Sequence, residues 1–198
     1  MTKPVWHEPL VSRAQRWNKH GLAGATVWLT GLSGSGKSTI ANALARELLN
    51  TSRLAYILDA DNLRHGLNAG LGYTDQDRAE NIRRVAEVAC LFADAGVVSI
   101  VPIISPFVAS RDQARQIHVD NNLRFIEVYV ATPLEECERR DTKGLYAKVR
   151  SGTMSGLSGV DSVYEAPNSP EVTVGAENET LQQSVAMIMD KILTKAGS

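Results

Sequence analysis

The segment Thr26-Val27-Trp28-Leu29-Thr30-Gly31-Leu32-Ser33-Gly34-Ser35-Gly36-Lys37-Ser38 constrains this chain more than any other. Its first five residues are apolar or β-branched and read as a short buried strand. Glycines follow at once. From Lys37 to Leu49, Ile40, Leu44 and Leu48 then recur on one helical face. A strand, a glycine-rich turn and a helix in that order let several backbone N–H groups converge on an anion. The helix aims its positive dipole end at the same point. The spacing G-x-x-x-x-G-K-S is met at Gly31, Gly36, Lys37 and Ser38. In such a loop the lysine neutralises β and γ phosphates and the serine hydroxyl suits Mg²⁺. A chance match in a Gly/Ser-rich turn is the bland alternative, but the strand before and the helix after are what the mechanism demands. The loop predicts a phosphoryl donor such as ATP and leaves the acceptor open.

The same alternation runs along the rest of the chain. Leu54–Leu58 reads as a second strand, Asp75–Ala95 as a long helix, and Val97–Ile104 as a third strand. Ser110–Asn121 reads as a helix, Arg124–Val130 as a fourth strand, and Pro133 as the first turn of the next helix. Residues 151–162, rich in Gly and Ser, read as a loop. Glu171–Val174 and Glu179–Lys195 read as a last strand and a closing helix, and Val11–Lys19 as a short early one. Strands alternating with helices predict an α/β fold: three layers, with a mostly parallel five-stranded sheet covered on both faces. The predicted organisation is an N-terminal extension over 1–24 and one domain over 25–198, with a mobile lid at about 140–165. Ligands in such sheets sit beyond the carboxyl ends of the strands. The loops to inspect are therefore 31–38, 59–66, 104–111 and 131–160.

Those loops carry the remaining polar chemistry. Asp59-Ala60-Asp61-Asn62-Leu63-Arg64 ends the second strand. A carboxylate there can take a proton from an acceptor hydroxyl or help hold Mg²⁺, and Arg64 can pair with a phosphate. A plain N-cap accounts for one Asp, less well for two. Arg78 and Asn81 share a face of the long helix, suited either to an anionic ligand or to solvent. Ser105, in Ile104-Ser105-Pro106, reads as a contact to phosphate or as a structural turn. Arg139-Arg140 and Lys143 precede the Gly/Ser-rich loop and can close over a γ-phosphate, or simply end a charged helix.

Composition narrows the class. The formal net charge of −1 over 198 residues argues against a nucleic-acid binder that relies on bulk positive charge. The N-terminus lacks the apolar run of a secretory signal, and no stretch approaches the ~20 apolar residues of a membrane span, so a cytoplasmic location is expected. Cys90 and Cys137 lie in helical stretches outside any metal-type cluster and read as buried thiols. His7, His20, His65 and His118 are scattered without ligand spacing.

Taken together these blocks resemble the adenylyl-sulfate kinase family, P-loop enzymes that phosphorylate the 3′-hydroxyl of adenosine 5′-phosphosulfate with ATP. The resemblance runs from Trp6-His7 to about Glu171. It rests on Trp28–Thr39, Asp61–Asn68, Asp77–Arg84, Ile104-Ser105-Pro106, Lys143-Gly144-Leu145-Tyr146 and Gly159–Pro167. It implies ATP contacts from Gly31, Ser33, Gly34, Ser35, Gly36, Lys37, Ser38, Thr39 and Arg139, with Mg²⁺ near Ser38 and Asp59. For the acceptor it implies Asp61, Arg64, Tyr73, Arg78, Asn81, Ile104, Ser105, Lys143 and Leu157. Lys37, Asp61, Ser105 and Lys143 would be catalytic, although in-line transfer to a hydroxyl needs no covalent relay through Ser105. A homodimer and a functional link to a separate ATP sulfurylase are further implications. Ala60, Val108 and Leu157 depart from the family's usual Gly, Arg and Phe. They motivate two alternatives: a related kinase with another nucleotide-like acceptor, and a non-catalytic nucleotide-binding module.

Overall fold

The computed structural model describes residue 5 and residues 7–21, 23–175 and 179–194; for His20 it describes the backbone alone. Trp6 and the Lys195 end of the expected closing helix lie outside the described residues.

Five parallel strands form one sheet in the order β2-β3-β1-β4-β5. They are β1 (Ala25–Thr30), β2 (Ala55–Ile57), β3 (Val98–Pro102), β4 (Arg124–Val130) and β5 (Val172–Val174). β1 lies at the centre and every one of its residues is buried. Its alternation divides the core. Val27 and Leu29 join a cluster with Ile40, Leu44 and Leu48 of α2 (Lys37–Asn50) and Val185, Ile188 and Ile192 of α8 (Leu181–Leu193). Trp28 faces the other way, onto Ile82, Val85 and Ala89 of α4 (Asp75–Asp94) and Ala114 of α5 (Val108–Asp120). The sheet is thus covered on both faces, as the strand–helix alternation predicts.

The polar members of this second face are paired. Ser99 Oγ donates to Ala89 O at 2.9 Å. His118 is fully buried, with Nδ1 2.8 Å from Ala114 O and Nε2 2.8 Å from Thr26 Oγ1. A carbonyl can only accept, so Nδ1 carries the proton and Nε2 accepts from the threonine. Burial lowers the His118 pKa.

Several boundaries differ from the sequence reading, three of them near the expected site loops. β3 ends at Pro102 rather than Ile104, where the chain leaves the sheet for the turn at Ser105. β2 keeps only three residues, because only Ala55 to Ile57 pair with β3. The acidic loop is not irregular throughout: Ala60–Leu63 form a one-turn helix, α3. Near the N-terminus, α1 (Arg13–His20) is fixed to the end of α4. Arg13 and Arg16 both pair with Asp94, and Trp17 Nε1 donates to Asp94 O at 3.0 Å.

Between β4 and β5 stand two further short helices, α6 (Leu134–Arg140) and α7 (Leu145–Arg150). They and the following loop have their own small core of Cys137, Tyr146 and Leu157, against which Leu32 of the phosphate loop packs. Cys90 and Cys137 are both buried free thiols. No described helix is long and apolar enough to cross a membrane.

Candidate active site

Gly31 to Ser38 leave β1 at its carboxyl end and turn into α2. The turn depends on backbone geometry open to glycine. Gly34 and Gly36 take φ of 74° and 103°. At Gly31 a Cβ would lie 2.6 Å from Val130 O, so β4 excludes any side chain there. The loop is braced from outside. Thr132 Oγ1 donates to Ser35 O at 2.9 Å, and the buried Tyr146 hydroxyl donates to Ser33 O at 2.8 Å.

Lys37 is buried within this turn. Its Nζ donates to Gly31 O at 2.9 Å and to Leu32 O at 2.7 Å. Burial pulls its pKa down to about 8, partly opposed by the negative charges of Asp61 and Asp59 and reinforced by the positive charge of Lys143. The charges of Lys143, Asp61 and Asp59 are thus felt at Lys37. Ser38 and Thr39 are exposed at the N-terminus of α2.

The acidic loop is built by its own first residue. Asp59 caps α3: its Oδ1 accepts from Asp61 N at 2.9 Å and Asn62 N at 3.2 Å. The bland reading of an N-cap is therefore true of Asp59, and it leaves Oδ2 unused by the cap. Asp61, one residue into the helix, turns its carboxylate outward, where Oδ2 accepts from Lys143 Nζ. That pairing holds the Lys143 pKa above its ordinary value. It also joins the loop after β2 to the segment after β4, two parts of the chain 82 residues apart.

Arg64 and Arg78 have well-defined partners. Arg64 Nη1 donates to Leu71 O and Gly72 O, both at 3.0 Å, and its guanidinium lies 4.5 Å from the centre of the exposed Tyr73 ring. Arg78 donates to Gly156 O at 2.7 Å and to Ser158 Oγ at 3.0 Å, which ties α4 to the loop carrying Leu157. Asn81, one turn further along α4, is buried, and its Oδ1 accepts from Asn68 Nδ2 at 2.9 Å.

The donors suited to a hard cation are the Ser38 hydroxyl and the free Asp59 oxygen. They supply oxygen only, as Mg²⁺ prefers, and leave most of its coordination to water and phosphate. Among the described residues no group of three His, Cys, Asp or Glu gathers into a metal cage.

Similarity to known proteins agrees with this geometry. Residues 23–175 match the family model described as adenylylsulphate kinase. The chain belongs to the adenylylsulphate kinase family. The adenylyl-sulfate kinase of Clostridium kluyveri is 50% identical over 194 residues, covering 98% of this chain and 96% of that protein. The probable adenylyl-sulfate kinase of Halalkalibacterium halodurans is 52% identical over 184 residues, 93% of this chain and 90% of its own. Among solved structures, the Mycobacterium tuberculosis APS kinase CysC in complex with AMPPNP and APS superposes with a TM-score of 0.84. It is 47% identical, covering 87% of this chain and 99% of that one.

Four further residues of the expected site have defined surroundings. Arg139 is exposed and held by Glu136. Its neighbour Arg140 is the one that reaches the phosphate loop, with Nη1 3.5 Å from Gly34 O and a salt bridge to the same Glu136. Adjacent arginines on a helix point about 100° apart, so only one can face the loop. Leu157 is buried in the small core with Cys137 and Tyr146. Ile104 is half-buried, and its carbonyl accepts from Thr30 Oγ1 at 2.6 Å.

Ser105 is 1% exposed, in a left-handed turn with φ 41°. Its Oγ accepts from Trp28 Nε1 at 3.1 Å and donates to Thr30 Oγ1 at 3.0 Å. The turn is held by a residue that spacing did not single out. Arg111, also buried, donates to Ser105 O at 2.6 Å, to Glu165 O at 2.7 Å and to Glu127 Oε1 at 2.8 Å. Its partners come from separate elements, so no local pattern announces it.

Proposed function

We propose that this chain transfers the γ-phosphoryl group of ATP to the 3′-hydroxyl of adenosine 5′-phosphosulfate, giving ADP and 3′-phosphoadenosine 5′-phosphosulfate. The observation that carries the reading is the Asp61–Lys143 ion pair, whose charges act on the buried Lys37 of the phosphate loop, in a chain of the adenylylsulphate kinase family.

In this mechanism Gly31 to Ser38 hold the donor phosphates through backbone N–H groups and the α2 dipole. Lys37 exchanges its two carbonyl partners for the β and γ phosphates. Ser38 and Asp59 would hold Mg²⁺, which offsets the charge on the phosphates. Asp61 accepts the proton of the 3′-hydroxyl as its oxygen bonds to the γ phosphorus and the bond to the β–γ bridging oxygen breaks. Lys143 keeps the Asp61 carboxylate aimed at the hydroxyl and adds positive charge beside the transferring group. Arg64, Arg78, Asn81, Tyr73 and Ile104 bind the acceptor. Ser105 serves the site by positioning Thr30 and the start of the phosphate loop, since its hydroxyl is enclosed by Trp28 and Thr30. Leu157 supports the lid, taken as about 140–165, from inside, and Arg140 takes the place over the phosphates first given to Arg139. A cytoplasmic homodimer that draws its acceptor from a separate ATP sulfurylase completes this reading.

The test is direct. Purified protein with Mg·ATP and adenosine 5′-phosphosulfate should yield ADP and the 3′-phosphorylated product in equal amounts. Phosphorylation of other nucleotides, with none of this acceptor, would overturn the assignment. Asp61→Asn should keep ATP binding and lose about 10²–10⁴-fold in kcat, the usual worth of a general base.

A further inference from the structure

Asn68 closes the Asp61–Asn68 block, was given no role above, and is fully buried although its side chain is polar. Its backbone is fixed in the loop after α3: Asn68 N donates to Leu63 O at 2.9 Å, and Asn68 O accepts from Leu71 N at 3.2 Å. Its Nδ2 donates to Asn81 Oδ1 at 2.9 Å. Its own Oδ1 is the one buried side-chain oxygen or nitrogen among the described residues without a hydrogen-bond partner. Leaving an acceptor unpaired in the interior is unfavourable, and a smaller or apolar residue here would avoid it. The residue is therefore kept for what its donor does.

That donor decides which way the Asn81 amide faces. An amide has one acceptor end and one donor end. Because Asn68 occupies Oδ1 of Asn81, the Nδ2 group of Asn81 is the end left over. Among the described residues it has no hydrogen-bond partner, and it is not one of the fully buried unpaired atoms. It lies on the same face of α4 as Arg78, one turn away. A donor there suits an anion, and an oxygen there would repel one.

We propose that Asn68 is a positioning residue for acceptor binding: it locks the Asn81 amide with its N–H donors toward the anionic phosphosulfate end of the nucleotide. The inference rests on the proposed function, in which Asn81 contacts the acceptor. Asn68 itself touches no substrate and acts through Asn81 alone.

Replacing Asn68 by Asp keeps the shape and reverses the polarity. A carboxylate at 68 accepts from Asn81 Nδ2 and turns Oδ1 toward the acceptor. Four variants decide the matter: Asn81→Ala, Asn68→Ala, Asn68→Asp and the double Asn68→Ala/Asn81→Ala, each assayed with adenosine 5′-phosphosulfate and ATP varied separately. Asn81→Ala should raise the acceptor KM about tenfold, the scale of a lost hydrogen bond to a charged group. Asn68→Ala should raise it less, and Asn68→Asp at least as much as Asn81→Ala. The ATP KM should stay within about twofold in all four, which a general loss of packing would not respect. In the Asn81→Ala background, Asn68→Ala should add nothing. An unchanged acceptor KM in Asn81→Ala would sink the assignment of Asn81 and with it this inference. A raised KM in Asn81→Ala, with Asn68→Ala still adding its full effect in the double variant, would overturn the positioning role alone. If Asn68→Asp fails to bind ATP, the comparison of Asn68→Ala with the double variant carries the decision.

Discussion

Two residues tie protonation to behaviour, with opposite consequences. Lys37 has its pKa lowered to about 8 by burial, so it is charged below pH 8 and increasingly neutral above it. Phosphate binding requires the charged form. Above pH 8 each molecule that binds ATP must first take up a proton, and affinity should fall by up to about tenfold per pH unit. Calorimetry at pH 8.5 in buffers of different ionisation enthalpy should report that uptake, and Lys37→Met should abolish it. His118 acts on stability instead. Its folded pKa is depressed, while in the unfolded chain it titrates near 6.5. Its contribution is complete above about pH 6.5. Below that the unfolded chain gains a proton that the folded one refuses, and stability falls by up to about 1.4 kcal/mol per pH unit until the folded pKa is reached. Urea melts at pH 7.0 and 5.5 should show a smaller loss for His118→Gln than for the native protein.

At the scale of elements, the chain passes tightly against α4 where it enters β1. A Cβ on Gly24 would lie 2.0 Å from Ala93 O, the backbone of the last turn of α4. Backbone cannot move aside as a side-chain tip can, so β1 and α4 would have to separate. Gly24→Ala should cost about 3 kcal/mol, the upper end of ordinary overpacking, measured by chemical denaturation. Because the phosphate loop starts at the other end of β1, the ATP KM of the folded fraction should hardly change. The same end of α4 also holds α1, through Arg13 and Arg16 on Asp94.

At the scale of the whole molecule, a single buried network joins parts that share no local sequence. Arg111 of α5 links Glu127 of β4, the Ser105 turn after β3 and Glu165 in the segment between α7 and β5. Arg115 carries the network on to Glu171 beside β5. Removing Arg111 leaves Glu127 buried and charged with only the 3.3 Å contact to Arg115. Arg111→Met should therefore destabilise by about 3–5 kcal/mol, and the double variant Arg111→Met/Glu127→Gln by markedly less, since it removes both charges. Denaturation of the two variants side by side checks this. An equal loss in both would mean that the hydrogen bonds to Ser105 and Glu165, not the ion pair, hold the centre together.

The sequence by itself determined the layers and the phosphate loop. Those depend on period and on short-range chemistry: five apolar strands, helical spacing of Ile40, Leu44 and Leu48, and glycines where the turn needs them. It also placed Asp61 and Lys143 in loops that follow strands, where a parallel sheet brings loops together. Only the tertiary structure decided which groups meet. The pairing of Asp61 with Lys143, the approach of Arg140 to Gly34, the enclosure of Ser105 and the hydrogen bond from Asn68 to Asn81 all depend on residues far apart in the chain or on which way a side chain turns. Hydrophobic periodicity says which face of an element is buried. It says nothing about the polar partner waiting on the neighbouring element, because hydrogen bonds are directional and their partners are fixed by the packing of whole elements rather than by local propensity.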